Sequence, residues 1–196
     1  MYAWLLFKHP LPIIPNLRLE YVTISDQGQT EGSVNNLPIP TGVKAPTTFD
    51  MKQYDIIPYY NILDNTFWVT IDLGLDIKVV QSDVTVGSVS SSIPAIPAFP
   101  GYSSTDTTAI PLLYVRARTE IPMTNIGLEA DVKAITDGTN TMYDARAKVD
   151  YTLGFIPVVQ PAIEVGYRVQ KLKVDDGGTQ IDLDYSGVYA GLMVRF

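Results

Sequence analysis

Hydrophobic and polar residues alternate with a period of two over most of this chain. From Phe67 to Val79 the odd positions are Phe67, Val69, Ile71, Leu73, Leu75, Ile77 and Val79, with Thr70, Asp72, Gly74, Asp76 and Lys78 between them. Only an extended strand sends two such sets to opposite faces. The pattern returns at 113–121, where Leu113, Val115 and Ala117 alternate with Tyr114, Arg116, Arg118 and Glu120, and at 126–134, where Leu128, Ala130 and Val132 alternate with Glu129, Asp131 and Lys133. It continues at 143–153, with Tyr143, Ala145, Ala147, Val149, Tyr151 and Leu153 against Asp144, Arg146, Lys148, Asp150 and Thr152. At 163–170, Ile163, Val165, Tyr167 and Val169 alternate with Glu164, Arg168 and Gln170. The final stretch puts Val188, Ala190, Leu192, Val194 and Phe196 on one face, while Ile181, Leu183 and Tyr185 have the opposite parity; a bulge near Ser186 and Gly187 would reconcile them. Three more strands are read at about 2–8, 17–26 and 47–60, although Gln53, Tyr54 and Asp55 do not sort onto two faces. Nine strands result, many of them longer than the usual five or six residues, and no helical period is visible. The fold is all-β and the chain reads as a single domain over 1–196.

Alternation alone leaves open whether the apolar face meets a core or lipid, so a soluble lipocalin-like barrel competes with a membrane barrel turned inside out. Four features favour an antiparallel up-and-down transmembrane β-barrel. The strands reach the roughly 9–11 residues that cross hydrocarbon. The connections His9–Asn16, Ile62–Thr66, Ile121–Asn125 and Phe155–Gln160 are short, whereas 27–46 and 81–107 are long, as in barrels with tight turns on one rim and long loops on the other. Aromatics gather near strand ends (Trp4, Tyr59, Tyr60, Trp68, Tyr102, Tyr143 and Tyr185), where interfacial girdles form. Finally, the tail through Val194 to Phe196 resembles the signal by which bacterial outer-membrane barrels are recognised for assembly. That likeness implies the barrel-assembly machinery and outer-membrane lipid as partners, and the bacterial outer membrane as location.

Composition narrows the chemistry. No apolar run approaches the ~20 residues a spanning helix requires. The absence of cysteine excludes a disulfide framework and a Cys-based zinc site. With 14 basic and 21 acidic residues and a net charge of −7, the chain lacks the basic balance of a nucleic-acid binder.

Several segments together carry a family resemblance. They are His9-Pro10-Leu11-Pro12-Ile13-Ile14-Pro15-Asn16, Tyr54-Asp55 with Tyr59-Tyr60, Gly177-Gly178 before the last strand, and Tyr189-Ala190-Gly191-Leu192 leading to Phe196. On these the chain resembles an uncharacterised proteobacterial outer-membrane β-barrel family with a Gly-Gly near the C-terminus. The resemblance implies a fold and a location, and no activity or functional residue. It also implies a signal peptide and a further N-terminal strand, neither of which is read in this sequence. Parity agrees: bacterial single-chain barrels have an even strand count, so nine visible strands predict about ten in the complete protein.

With apolar faces outward, the lumen receives Arg18, Glu20, Asp72, Asp76, Lys78, Arg116, Arg118, Glu120, Glu129, Asp131, Lys133, Asp144, Arg146, Lys148, Asp150, Glu164 and Arg168, nine acids and eight bases. A barrel of this size has room for side chains or one small ligand. Unpaired burial of either sign is costly, so a salt-bridged, hydrated plug is favoured over a narrow polar conduit with Arg116, Arg118, Arg146 and Lys148 opposite Asp131, Asp144 and Asp150. The one histidine, His9, sits in a turn, which disfavours Ser-His and Asp-His catalysis. Glu129 with Asp131 is what lumen alternation produces by default, and Asp175-Asp176-Gly177-Gly178 reads first as a hairpin turn rather than a calcium loop. No metal site and no cofactor are expected. The 84–107 segment is the remaining candidate: Ile93, Ile96 and Phe99 stand among Pro94, Pro97 and Pro100, followed by Tyr102, and packing on its own barrel rim as a lid is favoured over folding across the mouth to contact an apolar ligand or a partner. The expected function is therefore a non-enzymatic outer-membrane barrel with a charged, largely plugged lumen and a structural or interaction role through long extracellular loops. The alternatives are a narrow channel for small or weakly apolar solutes gated by the 84–107 loop, and a soluble ligand-binding barrel.

Overall fold

The computed structural model describes residues 2–11, 13–34, 37–39, 43–66, 68–90, 98–136, 141–153, 160–176 and 179–195. Its strands are β1 (Tyr2–Phe7), β2 (Asn16–Thr30), β3 (Ser33–Val34), β4 (Leu37–Pro38), β5 (Ala45–Thr66), β6 (Val69–Val86), β7 (Tyr102–Glu120), β8 (Ile126–Thr136), β9 (Thr141–Thr152), β10 (Gln160–Asp176) and β11 (Thr179–Arg195). Nine of them form one sheet in the order β1-β2-β5-β6-β7-β8-β9-β10-β11, while β3 and β4 pair apart from it. The protein is all-β, and the nine strands run antiparallel, up and down, as a nearly closed barrel.

Several strands exceed the lengths read from alternation. β5 has 22 residues, β6 has 18 and β7 has 19. The long connections expected at 27–46 and 81–107 accordingly shrink to 31–44, which contains β3 and β4, and 87–101. The cause lies in sequences such as Tyr102-Ser-Ser-Thr-Asp-Thr-Thr, which are polar at odd and even positions alike and show no alternation, yet are rich in the β-branched residues that suit a strand.

The chain divides into two compact units. The first comprises Met1–Tyr2, Glu20–Tyr54 and Val79–Ala109. It has a small core of its own, with Ile39, Ala45, Val86 and Phe99 buried and Val43, Val84, Val89 and Tyr102 packed against them. Val89 and Phe99 exchange backbone hydrogen bonds of 2.9 and 3.0 Å, and the Gly87 amide donates to the Pro46 carbonyl at 2.7 Å. Ser25 with Asp50, and Thr105 with Asp83, link neighbouring strands through their side chains.

The second unit comprises Ala3–Leu19, Asp55–Lys78 and Ile110–Phe196, and contains segments of all nine barrel strands. Here the alternation resolves into two unlike faces. Leu73, Leu75, Ile77, Leu113, Val115, Leu128, Val132, Val149, Ile163, Val165, Val188 and Leu192 are exposed, while the charged residues between them are buried. Tight turns connect the strands on one side: the Thr124 hydroxyl donates to the Ile121 carbonyl and accepts from the Ile126 amide, and Trp68 and Met123 both take φ 63°.

Three local expectations change. β10 and β11 stay in continuous register from Gln160↔Arg195 to Asp176↔Thr179, so no bulge forms at Ser186 or Gly187. Instead Tyr185 and Tyr189 share the face of buried Met193, opposite exposed Val188 and Leu192. The barrel face of β11 thus takes aromatic residues and glycine where its neighbours place charges, which makes its parity look reversed. Tyr59, expected in a girdle, lies fully inside against Tyr114. Trp4 is likewise engaged with interior groups, donating its indole N–H to Glu164 Oε1 at 3.2 Å.

Candidate functional site: the charged interior of the barrel unit

Register places unlike charges side by side across strands β7, β8 and β9. Arg116 faces Asp131, which faces Arg146; Arg118 faces Glu129, which faces Lys148; one rung further Lys133 faces Asp144. Opposite charges directly across a ladder attract, and their inward direction follows from the same period of two that turns Leu128 and Val132 outward.

The contacts gather around two centres. Glu129 is the first. Its Oε1 accepts from Arg18 Nη1 at 3.2 Å and Arg146 Nη2 at 3.3 Å and lies 3.5 Å from Lys148 Nζ; its Oε2 accepts from Arg116 Nη2 at 2.8 Å and Arg118 Nη1 at 3.3 Å. Four of these cations have a further acid: Arg116 binds Asp72, Arg118 binds Asp150 at 2.7 Å, Arg146 binds Asp131 at 2.6 Å and Lys148 binds Glu164 at 2.7 Å. The second centre joins Lys78 to both oxygens of Asp55 at 2.7 and 2.6 Å and to Asp144 at 3.2 Å. Lys133 also binds Asp55, Arg168 binds Asp144, and Asp76 lies 3.9 Å from both lysines. Trp4 closes over the first centre, its ring 4.8 Å from the Arg18 guanidinium carbon and 4.3 Å from Lys148 Nζ.

Among the described residues, the interior of this unit therefore holds eight acids (Asp55, Asp72, Asp76, Glu129, Asp131, Asp144, Asp150 and Glu164) and eight bases (Arg18, Lys78, Arg116, Arg118, Lys133, Arg146, Lys148 and Arg168). All are buried except Arg118 and Arg168, whose side chains remain 11% and 15% exposed. Taking so many charges from water is tolerable only with mutual pairing, and the equal numbers allow it. Glycine supplies space for part of it. A Cβ at Gly127 would lie 2.3 Å from Arg118 Nη2 and 2.8 Å from Asp150 Oδ2, so the missing side chain is what lets that guanidinium reach its carboxylate.

The sequence reading and the structure differ at definite places. Glu120, expected inside, ends β7 with its side chain 62% exposed and lies 3.3 Å from Arg118 Nη2. Glu20 is buried, as expected of the inward face of β2. Of the cations that the alternative conduit reading set opposite Asp131, Asp144 and Asp150, Arg146 binds Asp131 and Arg118 binds Asp150, whereas Arg116 and Lys148 reach Glu129 with Asp72 and Glu164, and Asp144 is held by Lys78 and Arg168. Asp55, which links Lys78 and Lys133, was not recognised because the inward face of β5 mixes Met51, Gln53, Asp55, Ile57 and Tyr59. Phe99, a candidate ligand or partner contact, is 2% exposed in the core of the first unit, with Tyr102 packed on it. Ile93 and Ile96 lie outside the described residues, as do Gly177, Gly178 and Phe196. Val194 pairs with Pro161 as part of β11. His9 organises its turn: its amide donates to Asn16 Oδ1 at 2.7 Å and its Nδ1 accepts from the Leu11 amide at 3.0 Å. Among the described residues no group of three or more His, Asp or Glu side chains is placed to hold a metal ion.

Comparison with known proteins adds no relative: no family model, no curated protein and no solved structure matches this chain.

Proposed function

We propose that this protein is an outer-membrane β-barrel of a Gram-negative bacterium, without catalytic activity, whose lumen is closed by paired charges and whose role is structural or exerted through contacts made by its connecting segments. The observation that carries this reading is the inversion of the barrel unit, with leucine, isoleucine and valine exposed and sixteen charged side chains turned inward. A barrel carrying an apolar ligand in water needs the reverse arrangement. A large exposed apolar surface calls for a nonaqueous partner, and a hydrocarbon bilayer accepts one that encircles a barrel. Strand length supports the same partner: β8 and β9 have 11 and 12 residues, near the ~9–11 that cross hydrocarbon. The resemblance of the N-terminal turn and the C-terminal tail to proteobacterial outer-membrane barrels points the same way.

Direct contact between the charges supports the closed lumen. Every cation around Glu129 is within 3.5 Å of it, leaving those charges engaged with one another rather than facing each other across water. The decisive experiment refolds the protein into planar bilayers, with insertion verified by a heat-dependent shift in gel mobility. Insertion without discrete conductance steps is the expected outcome. Discrete steps would replace the plug with a narrow channel, and failure to enter bilayers or detergent would overturn the membrane reading itself.

A further inference from the structure

Within the charged interior lies a small group of polar atoms that the salt bridges leave aside. Tyr59 on β5 and Tyr114 on β7 are both completely buried, and their rings meet edge to face with centroids 6.3 Å apart. Ile57 and Leu6 complete an aromatic and aliphatic cluster around them. Neither hydroxyl has a hydrogen-bond partner among the described residues. Arg116, two residues from Tyr114 on the same inward face of β7, is in a similar position at one atom: its two terminal nitrogens bind Asp72 and Glu129, while its buried Nε has no partner. The ring contact joins the two phenols, and the buried face of β7 sets Tyr114 and Arg116 in neighbouring inward positions, so the three groups belong to one part of the interior.

A buried hydroxyl or guanidinium N–H left without a partner costs free energy, and native proteins satisfy such groups with ordered water or a ligand. The charge on the surrounding side chains decides which. Arg18 and Arg116 are already balanced by Asp72 and Glu129, so an ion of either sign would enter without a counter-charge. A neutral molecule able both to donate and to accept has no such penalty. The geometry points to a hydration site: Tyr59, Tyr114 and Arg116 Nε hold ordered water inside the barrel, and that water bridges the phenols to the Glu129 network. The lumen is then a wet plug at this point, with a binding place for neutral water among paired charges. This inference depends on the interior geometry and is independent of whether the barrel spans a membrane or conducts.

The sign of a stability change tests it. Deleting an orphan hydroxyl from a buried site is neutral or stabilising, whereas deleting one that bonds water loses a hydrogen bond, worth roughly fivefold or more in the folding equilibrium per hydroxyl. The Tyr59→Phe and Tyr114→Phe variants, singly and together, keep the ring packing and remove only oxygen. In urea unfolding of refolded protein, hydration predicts a several-fold loss for each single variant and a larger one for the pair. Unchanged or increased stability overturns the proposal. A crystal structure of the wild-type protein gives a second readout that does not depend on the variants folding. Water within ordinary hydrogen-bond distance of either phenol oxygen and of Arg116 Nε is expected, and direct bonding of these atoms to protein groups would overturn the site.

Discussion

Glu129 shows how strongly one side chain can concentrate the electrostatics of an interior. Five cations converge on its two oxygens, so removing it strands several positive charges where water is excluded. Glu129→Ala should therefore cost about 3–5 kcal/mol, the range for breaking a buried pair. Glu120→Ala, which removes a solvent-exposed partner of Arg118, should cost less than about 1 kcal/mol. Urea titration followed by tryptophan fluorescence in a Trp68→Phe background reads both, because the remaining indole of Trp4 touches Glu164 and sits near Lys148. Equal losses in the two variants would contradict the central position of Glu129. At this scale the sequence discloses type better than address. Arg116, Glu129 and Arg146 are recognisable as inward because aliphatic residues flank each of them. Asp55 is hidden because its own face also carries Ile57 and Tyr59. Trp4 and Tyr59 mislead because an aromatic near a strand end has the same chemistry whether it meets an interface or a cation.

For the strands, alternation fixes existence and facing with little ambiguity, since no other element has a period of two. What alternation misses is extent: β7 begins at Tyr102 because Thr and Tyr pair well in strands even when both faces are polar. The outward faces of β8 and β9 allow a test of their surroundings. Leu128 and Val149 face each other in register and are both exposed. Placing lysine at either position should cost about 2–4 kcal/mol in lipid vesicles if it lies near the bilayer midplane. On a water-facing strand the same change would stay within about 0.5 kcal/mol. The two solvents thus predict different results for one substitution, and unfolding from vesicles decides between them.

At the level of the whole molecule, the division into two units is absent from the hydrophobic pattern, because β1, β2, β5, β6 and β7 contribute residues to both. The first unit's core depends on contacts far apart in sequence, Ile39 with Ala45, Val86 and Phe99, which periodicity does not report. Phe99→Ala should weaken that core alone. Hydrogen exchange at the Val89 amide, which donates to Phe99, should accelerate, while amides of β8 and β9 should keep their protection. Acceleration throughout the sheet would mean that the two units melt together. The rungs of unlike charge have a separate consequence for how the strands find their places. Alternation tolerates a slip of two residues, since every side chain would still face the correct way. Between β8 and β9 such a slip would set Asp131 against Asp144 in one direction, and Glu129 against Asp150 with Lys133 against Arg146 in the other. The sequence of plus and minus along the lumen thus acts as a ruler, rejecting misalignments that the hydrophobic pattern would accept.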